Sequence, residues 1–108
     1  MLLSNKSYEE LEKASQEWAE WHKKSIILED GKKAMFSKLF LKYKLETKTV
    51  IEAEHKARTD AEYREIVKQY ANAEEELIKA RYRYTNIDRY VSLKQSELKR
   101  DLALNSKV

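Results

Sequence analysis

The stretch LEKASQEWAEWHKKSIILEDGKKAMFSKLF, residues 11–40, decides the fold. In it Leu11, Ala14, Trp18, Trp21, Ser25, Leu28, Lys32, Met35 and Leu39 recur at alternating spacings of three and four. That is the heptad signature of a helix packing along one seam, broken only by the polar Ser25 and Lys32. Upstream, Ser7 followed three residues later by Glu10 reads as a capping box, which starts a helix near Tyr8. Downstream the pattern carries to Leu45, so the first helix is expected over 8–45, about 38 residues and roughly 57 Å long. Gly31 is its weak point, because a mid-helix glycine costs about 1 kcal/mol against alanine and permits a bend.

Working outward, a second heptad runs through Tyr63, Ile66, Tyr70, Ala73, Leu77, Ala80, Tyr84, Ile87, Val91 and Leu98. Asp60 is placed to cap it, and it is expected to reach Leu104, with Asn105 to Val108 frayed. Between the two, Thr47 or Thr49 can cap a short helix over 48–57. The expected architecture is a single all-α domain over 1–108, two long helices joined by a connector with one short helix, folded as an antiparallel hairpin or coiled coil. Each seam is flanked by further apolar residues, among them Ile26, Ile27, Phe36, Phe40, Val67, Ile78, Tyr82 and Tyr90, more than a hairpin alone can cover. Exposed apolar surface of that extent marks an interface. The expectation is therefore a homo-oligomer in which Trp18, Trp21, Leu28, Met35, Leu39, Tyr70, Leu77, Tyr84, Ile87 and Val91 supply core or interface.

Composition supports long helices. The chain has 108 residues, 38% of them charged, with one glycine and no proline. Eleven aromatic residues argue against disorder. A domain this small has a thin core of its own. The absence of cysteine excludes disulfides and thiolate metal sites, and cytoplasm is the default compartment. No apolar run approaches the ~18 residues that span a bilayer, and the leader Met1-Leu2-Leu3 meets polar residues at once, so neither membrane association nor a signal peptide is expected.

The net charge of +3 conceals strong banding. Residues 7–31 carry −4, 32–48 carry +5, 49–78 carry −4 and 79–100 carry +5. If the long helices fold back on each other, both basic blocks can share one surface. A polyanion, nucleic acid first, is the partner that such a surface suits. The first block supplies Lys32, Lys33, Lys38, Lys42 and Lys44 as candidate phosphate contacts. The second supplies Arg81, Arg83 and Arg89, interleaved with Tyr82, Tyr84 and Tyr90. Tyr84 falls on the seam, which leaves Tyr82 and Tyr90 as candidates for base stacking. Trp18 and Trp21 read as core anchors.

Catalytic chemistry has little footing. Glu52-x-x-His55 has the spacing of a di-iron carboxylate motif, but such a site needs a second copy and further glutamates. His22 sits in Trp21-His22-Lys23-Lys24, where cations repel a metal. No Gly-rich phosphate loop and no plausible nucleophile pairing is present, so neither an enzyme nor a metal or cofactor site is expected.

The first helix resembles that of the phage recombination mediator proteins of the UvsY type, in the run Trp21-His22-Lys23-Lys24-Ser25, Glu29, Lys32-Lys33, Lys38-Leu39 and Tyr43. The downstream half is similar to small uncharacterised helical phage proteins, in Asp60-Ala61-Glu62-Tyr63-Arg64 and in the closing run Ser92 to Arg100. The resemblance implies a non-enzymatic accessory factor of a phage acting in the host cytoplasm. It would oligomerise, bind single-stranded DNA without sequence specificity, and help load a recombinase against a single-strand-binding protein. Carried over by position, Lys32, Lys33 and Lys38 would contact phosphates. The alternative is a coiled-coil structural, adaptor or inhibitor protein that recognises another protein through its apolar helix faces.

Overall fold

A computed structural model describes residues 5–106. Three helices account for nearly all of them: α1 (Asn5–Lys44), α2 (Val50–Thr59) and α3 (Ala61–Ser106). The fold is the expected all-α helical hairpin with a short helix in the connector. Among the described residues no helix is long and apolar enough to cross a membrane.

The helix ends follow local hydrogen-bond chemistry. Thr49 caps α2, its hydroxyl accepting from the Glu52 N–H at 3.2 Å. Asp60 caps α3, its carboxylate accepting from the Glu62 N–H at 2.9 Å. At the end of α1 the Glu46 N–H and the Thr47 hydroxyl both donate to the Tyr43 carbonyl, satisfying an acceptor that the finished helix leaves over. Lys42 and Lys44 lie in that last turn, where the helix dipole favours cations.

Two expected boundaries need correction. Ser7 is not a cap, because α1 already contains it from Asn5 onward. Near this end Gln95 of α3 donates to the Tyr8 hydroxyl at 3.2 Å. At the other end, Asn105 and Ser106 are helical rather than frayed. Lys107, Val108 and the leader Met1 to Leu3 lie outside the described residues.

The chain divides into two compact units, one holding residues 5–20 and 78–106, the other Trp21–Leu77. In the first, Trp18 meets Tyr84 with ring centroids 5.1 Å apart, while Ala14, Ala80 and Val91 are buried. In the second, Leu39, Ala53, Ala57 and Ala73 are buried. In both, low numbers on α1 face high numbers on α3, so the helices are antiparallel.

The seam is built mainly from small residues. Among the described residues no large side chain is fully buried; Leu39 and Val91 are nearly so, while Trp18, Trp21, Leu28, Met35, Tyr70, Leu77, Tyr84 and Ile87 are half-buried. Alanines at the centre let the backbones close, and the large side chains cover the margins. The two polar interruptions of the heptad have partners. Ser25 is buried and its hydroxyl donates to the Glu74 carboxylate. Lys32 lies with its ammonium 4.5 Å from the centroid of the Tyr70 ring. Partial burial of Tyr70, with the charges of Glu29 and Glu74 nearby, raises its pKa above the ordinary phenol value.

Gly31 lies on the side of α1 that faces α3. A Cβ there would stand 3.0 Å from the δ-methyl of Ile66. That methyl is the far end of a flexible side chain and borders an open groove, so it has somewhere to go. Gly31→Ala is expected to stabilise the protein by up to about 1 kcal/mol through helix propensity, read as a raised thermal midpoint. A lowered midpoint would mean that Ile66 is locked and that the glycine serves close packing.

Candidate nucleic-acid interface

Within the unit Trp21–Leu77, all three helices contribute to one open groove of about 360 Å³. Lys32, Lys33, Phe36 and Ser37 come from α1, Arg58 from α2 and Tyr63 from α3. Three of its six lining residues are cationic, two are aromatic, and none is acidic.

Helix geometry explains the α1 contribution. At 100° per residue, Lys32, Lys33, Phe36 and Ser37 occupy adjoining positions on one side. Phe36 forms the floor, with Tyr63 at 5.7 Å between centroids and an interplanar angle of 59°, and Phe40 at 6.3 Å, nearly parallel. Arg58 reaches over this floor from α2, its guanidinium carbon 5.7 Å from the Phe36 centroid. A guanidinium is a group that can pair with a phosphate and stack its flat face on a ring.

The cations differ in how they are held. Lys33 pairs with Glu29 at 3.6 Å, but both side chains are well exposed. Exposed i,i+4 pairs contribute only about 0.3–0.5 kcal/mol, so a phosphate can replace Glu29 at little cost. Lys32 is half-buried on Tyr70 and is the more fixed charge. Arg58 is exposed. In the sequence it is hidden in a stretch whose net charge is −4, where Lys56, two residues before it, is the other cation of α2.

The rest of the first basic block does not line this groove. Lys38 follows Lys32 by six residues, which carries it some 240° around the helix, and Lys42 lies one turn beyond Lys38. Both are exposed, and Lys42 stands 5.2 Å from the Tyr43 ring centroid. Lys44, eleven residues after Lys33, returns to the groove side about 16 Å further along. It too is exposed.

In the other unit the second block also separates. Arg83 is ion-paired with Glu17 of α1, which commits it to the helix pair. Tyr84 is half-buried against Trp18. Tyr82 is 66% exposed, and Arg89, seven residues on, shares its face. Arg81 is exposed on another side, and Tyr90 is exposed with the Lys94 ammonium 5.6 Å from its ring. Tyr82 with Arg89 is thus a small exposed patch. Among the described residues no three His, Cys, Asp or Glu side chains are grouped to hold a metal, and Glu52 and His55 are both exposed.

The groove depends on how α2 is seated. Ala53 and Ala57 are fully buried and fix its inner face. At its far end Tyr43 donates to the Asp60 carboxylate, tying the last turn of α1 to the cap of α3. The bond from Tyr43, then the Glu62 N–H, holds the Asp60 carboxyl below its usual value, with Lys42 adding to the effect. The same bond, partial burial and the charges of Asp60, Glu46 and Glu62 raise the Tyr43 phenol.

No protein-family model matches the chain, and no curated protein or solved structure is detectably similar to it.

The joint sets a pH dependence. Asp60 is depressed, so its contribution is complete above the ordinary carboxylate value of about 4 and is lost as pH falls through the lowered one. Tyr43 is raised, so its contribution is complete below about 10 and is lost as pH rises through the higher one. Tyr43→Phe is therefore expected to lower the thermal midpoint at neutral pH, with the gap to the unsubstituted protein narrowing below about pH 4 and above about pH 10. A gap that is constant across pH would remove the joint from the account.

Proposed function

We propose that the protein binds single-stranded nucleic acid, DNA in the first instance, through the groove of Lys32, Lys33, Phe36, Arg58 and Tyr63. The observation that carries this reading is the convergence of three cations and two aromatic rings from three helices on one open groove with no acidic lining residue. Cations over an aromatic floor suit a strand whose phosphates are neutralised while its bases stack. Neither groove nor flanks carry a base-reading module, so binding is expected to be insensitive to sequence. Tyr82 and Arg89 offer a second, smaller contact in the other unit. The resemblance of α1 to phage recombination mediators favours an accessory role in which a self-associating protein helps a recombinase onto strands covered by a single-strand-binding protein.

A protein-adaptor role has one observation in its favour, the exposure of Ile26, Ile27, Val67 and Ile78 on the flanks of the helix pair. Capture from a lysate with and without nuclease separates the two. A partner retained after nuclease treatment supports the adaptor.

The direct test is a fluorescence titration of a labelled single-stranded oligonucleotide across a salt series. Replacing Lys32, Lys33 and Arg58 together by alanine should weaken binding and flatten the slope of log affinity against log salt by about 2, at roughly 0.7 per phosphate contact. Replacing Lys38 and Lys42 should cost less, with helicity unchanged in both variants. Binding by the triple variant that equals that of the unsubstituted protein would overturn the assignment.

A further inference from the structure

The corner between α1 and α2 exposes more apolar surface than its few residues can justify. Leu45 is 90% exposed, Ile51 78% and Leu41 65%, with Val50 half-exposed beside them. Lys42, Lys44 and Lys48 are interleaved among them and are also exposed, with Glu46 the one acid between residues 41 and 51. None of these residues lines either of the two grooves described for this unit.

The same unit carries a surface of opposite character. Met35 and Ile66, with Ala61, floor a second open groove of about 480 Å³, and Glu62, Glu65 and Gln69 complete its lining. An apolar floor with two carboxylates at its edge complements an apolar projection with lysines at its edge. The corner cannot enter the groove of its own chain. Helix α1 runs without interruption from Met35 to Lys44, which holds Leu45 about 15 Å along the axis from Met35.

We infer that the occupant is a second copy of this chain, whose α1–α2 corner seats Leu41 and Leu45 against Met35 and Ile66 while Lys42 and Lys44 meet Glu62 and Glu65. Each molecule presents one corner and one groove. In the inferred pair the docking is reciprocal, each corner in the other molecule's groove, so that the contact is made twice about a two-fold axis. The inference rests on the self-association part of the proposed function and not on nucleic-acid binding, because Lys32, Lys33 and Arg58 take no part in it.

Charge reversal followed by mixing tests it, with mass measured by size exclusion and light scattering in the absence of nucleic acid. The unsubstituted protein should associate to at least twice the 12.9 kDa of the single chain. Lys42→Glu with Lys44→Glu should be monomeric, since both its surfaces are then acidic, and Glu62→Lys with Glu65→Lys should be monomeric for the opposite reason. An equimolar mixture of the two should regain the mass of the pair, because each corner now faces a groove of opposite sign. Leu45→Asp provides a variant that disturbs no packing within the chain, and it too should be monomeric. An unsubstituted protein that stays monomeric would overturn the inference together with the self-association reading. An associated protein that the reversals and Leu45→Asp leave intact would overturn this interface alone.

Discussion

The alanines at the centre of the helix pair are the constraint on which the rest depends. With Ala14, Ala73 and Ala80 buried, and Ala53 and Ala57 seating α2, the backbones come together around small side chains. The rings of Trp18, Trp21, Phe36, Tyr63, Tyr70 and Tyr84 lie half-buried along the margins of these alanine contacts. Lysine and arginine stems then lie along the same margins, and their charged ends settle over rings: Lys24 on Trp21 at 4.4 Å, Lys32 on Tyr70, Arg58 on Phe36. An aromatic groove edged with cations is thus a consequence of how the core is packed.

The polar positions in the seam follow from the same constraint. A serine is almost as small as an alanine, so Ser25 keeps the approach close, and its hydroxyl is satisfied by Glu74. Leaving either partner unmatched in a shifted register would cost about 1–3 kcal/mol per stranded group. Alanine contacts alone discriminate poorly between registers. The Ser25–Glu74 bond therefore favours one pairing of α1 turns with α3 turns, and with it the opposition of Phe36 and Tyr63 on which the groove floor depends.

Most of the fold was legible because helical periodicity and capping are local. The alternating spacing from Leu11 to Leu39 and the side chains of Thr49 and Asp60 gave both long helices and the connector. Ser7 is a weaker signal because a capping box is a pattern of only two residues, and the helix already runs through it from Asn5. The site was less legible because charge had been summed along the chain, whereas helices distribute it around an axis. Lys38 belongs to the same linear block as Lys32 but lies on another face, and Arg58 lay hidden in an acidic segment. Phe36 was read only as an apolar flank and Tyr63 only as seam, since a marginal ring serves as both.

Helix α2 illustrates how much a short element depends on its surroundings. Ten residues are too few to hold a helix in water on their own, since nucleation is costly and propagation adds little per residue. Its order comes from the burial of Ala53 and Ala57, the Thr49 cap, and the Tyr43–Asp60 bond that closes the loop behind it. The guanidinium of Arg58 projects from the last turn of this helix, next to Ala57 and two residues before Asp60. Its position over Phe36 is therefore set by contacts that are not themselves basic or aromatic. The cation that completes the groove is only as well placed as that joint.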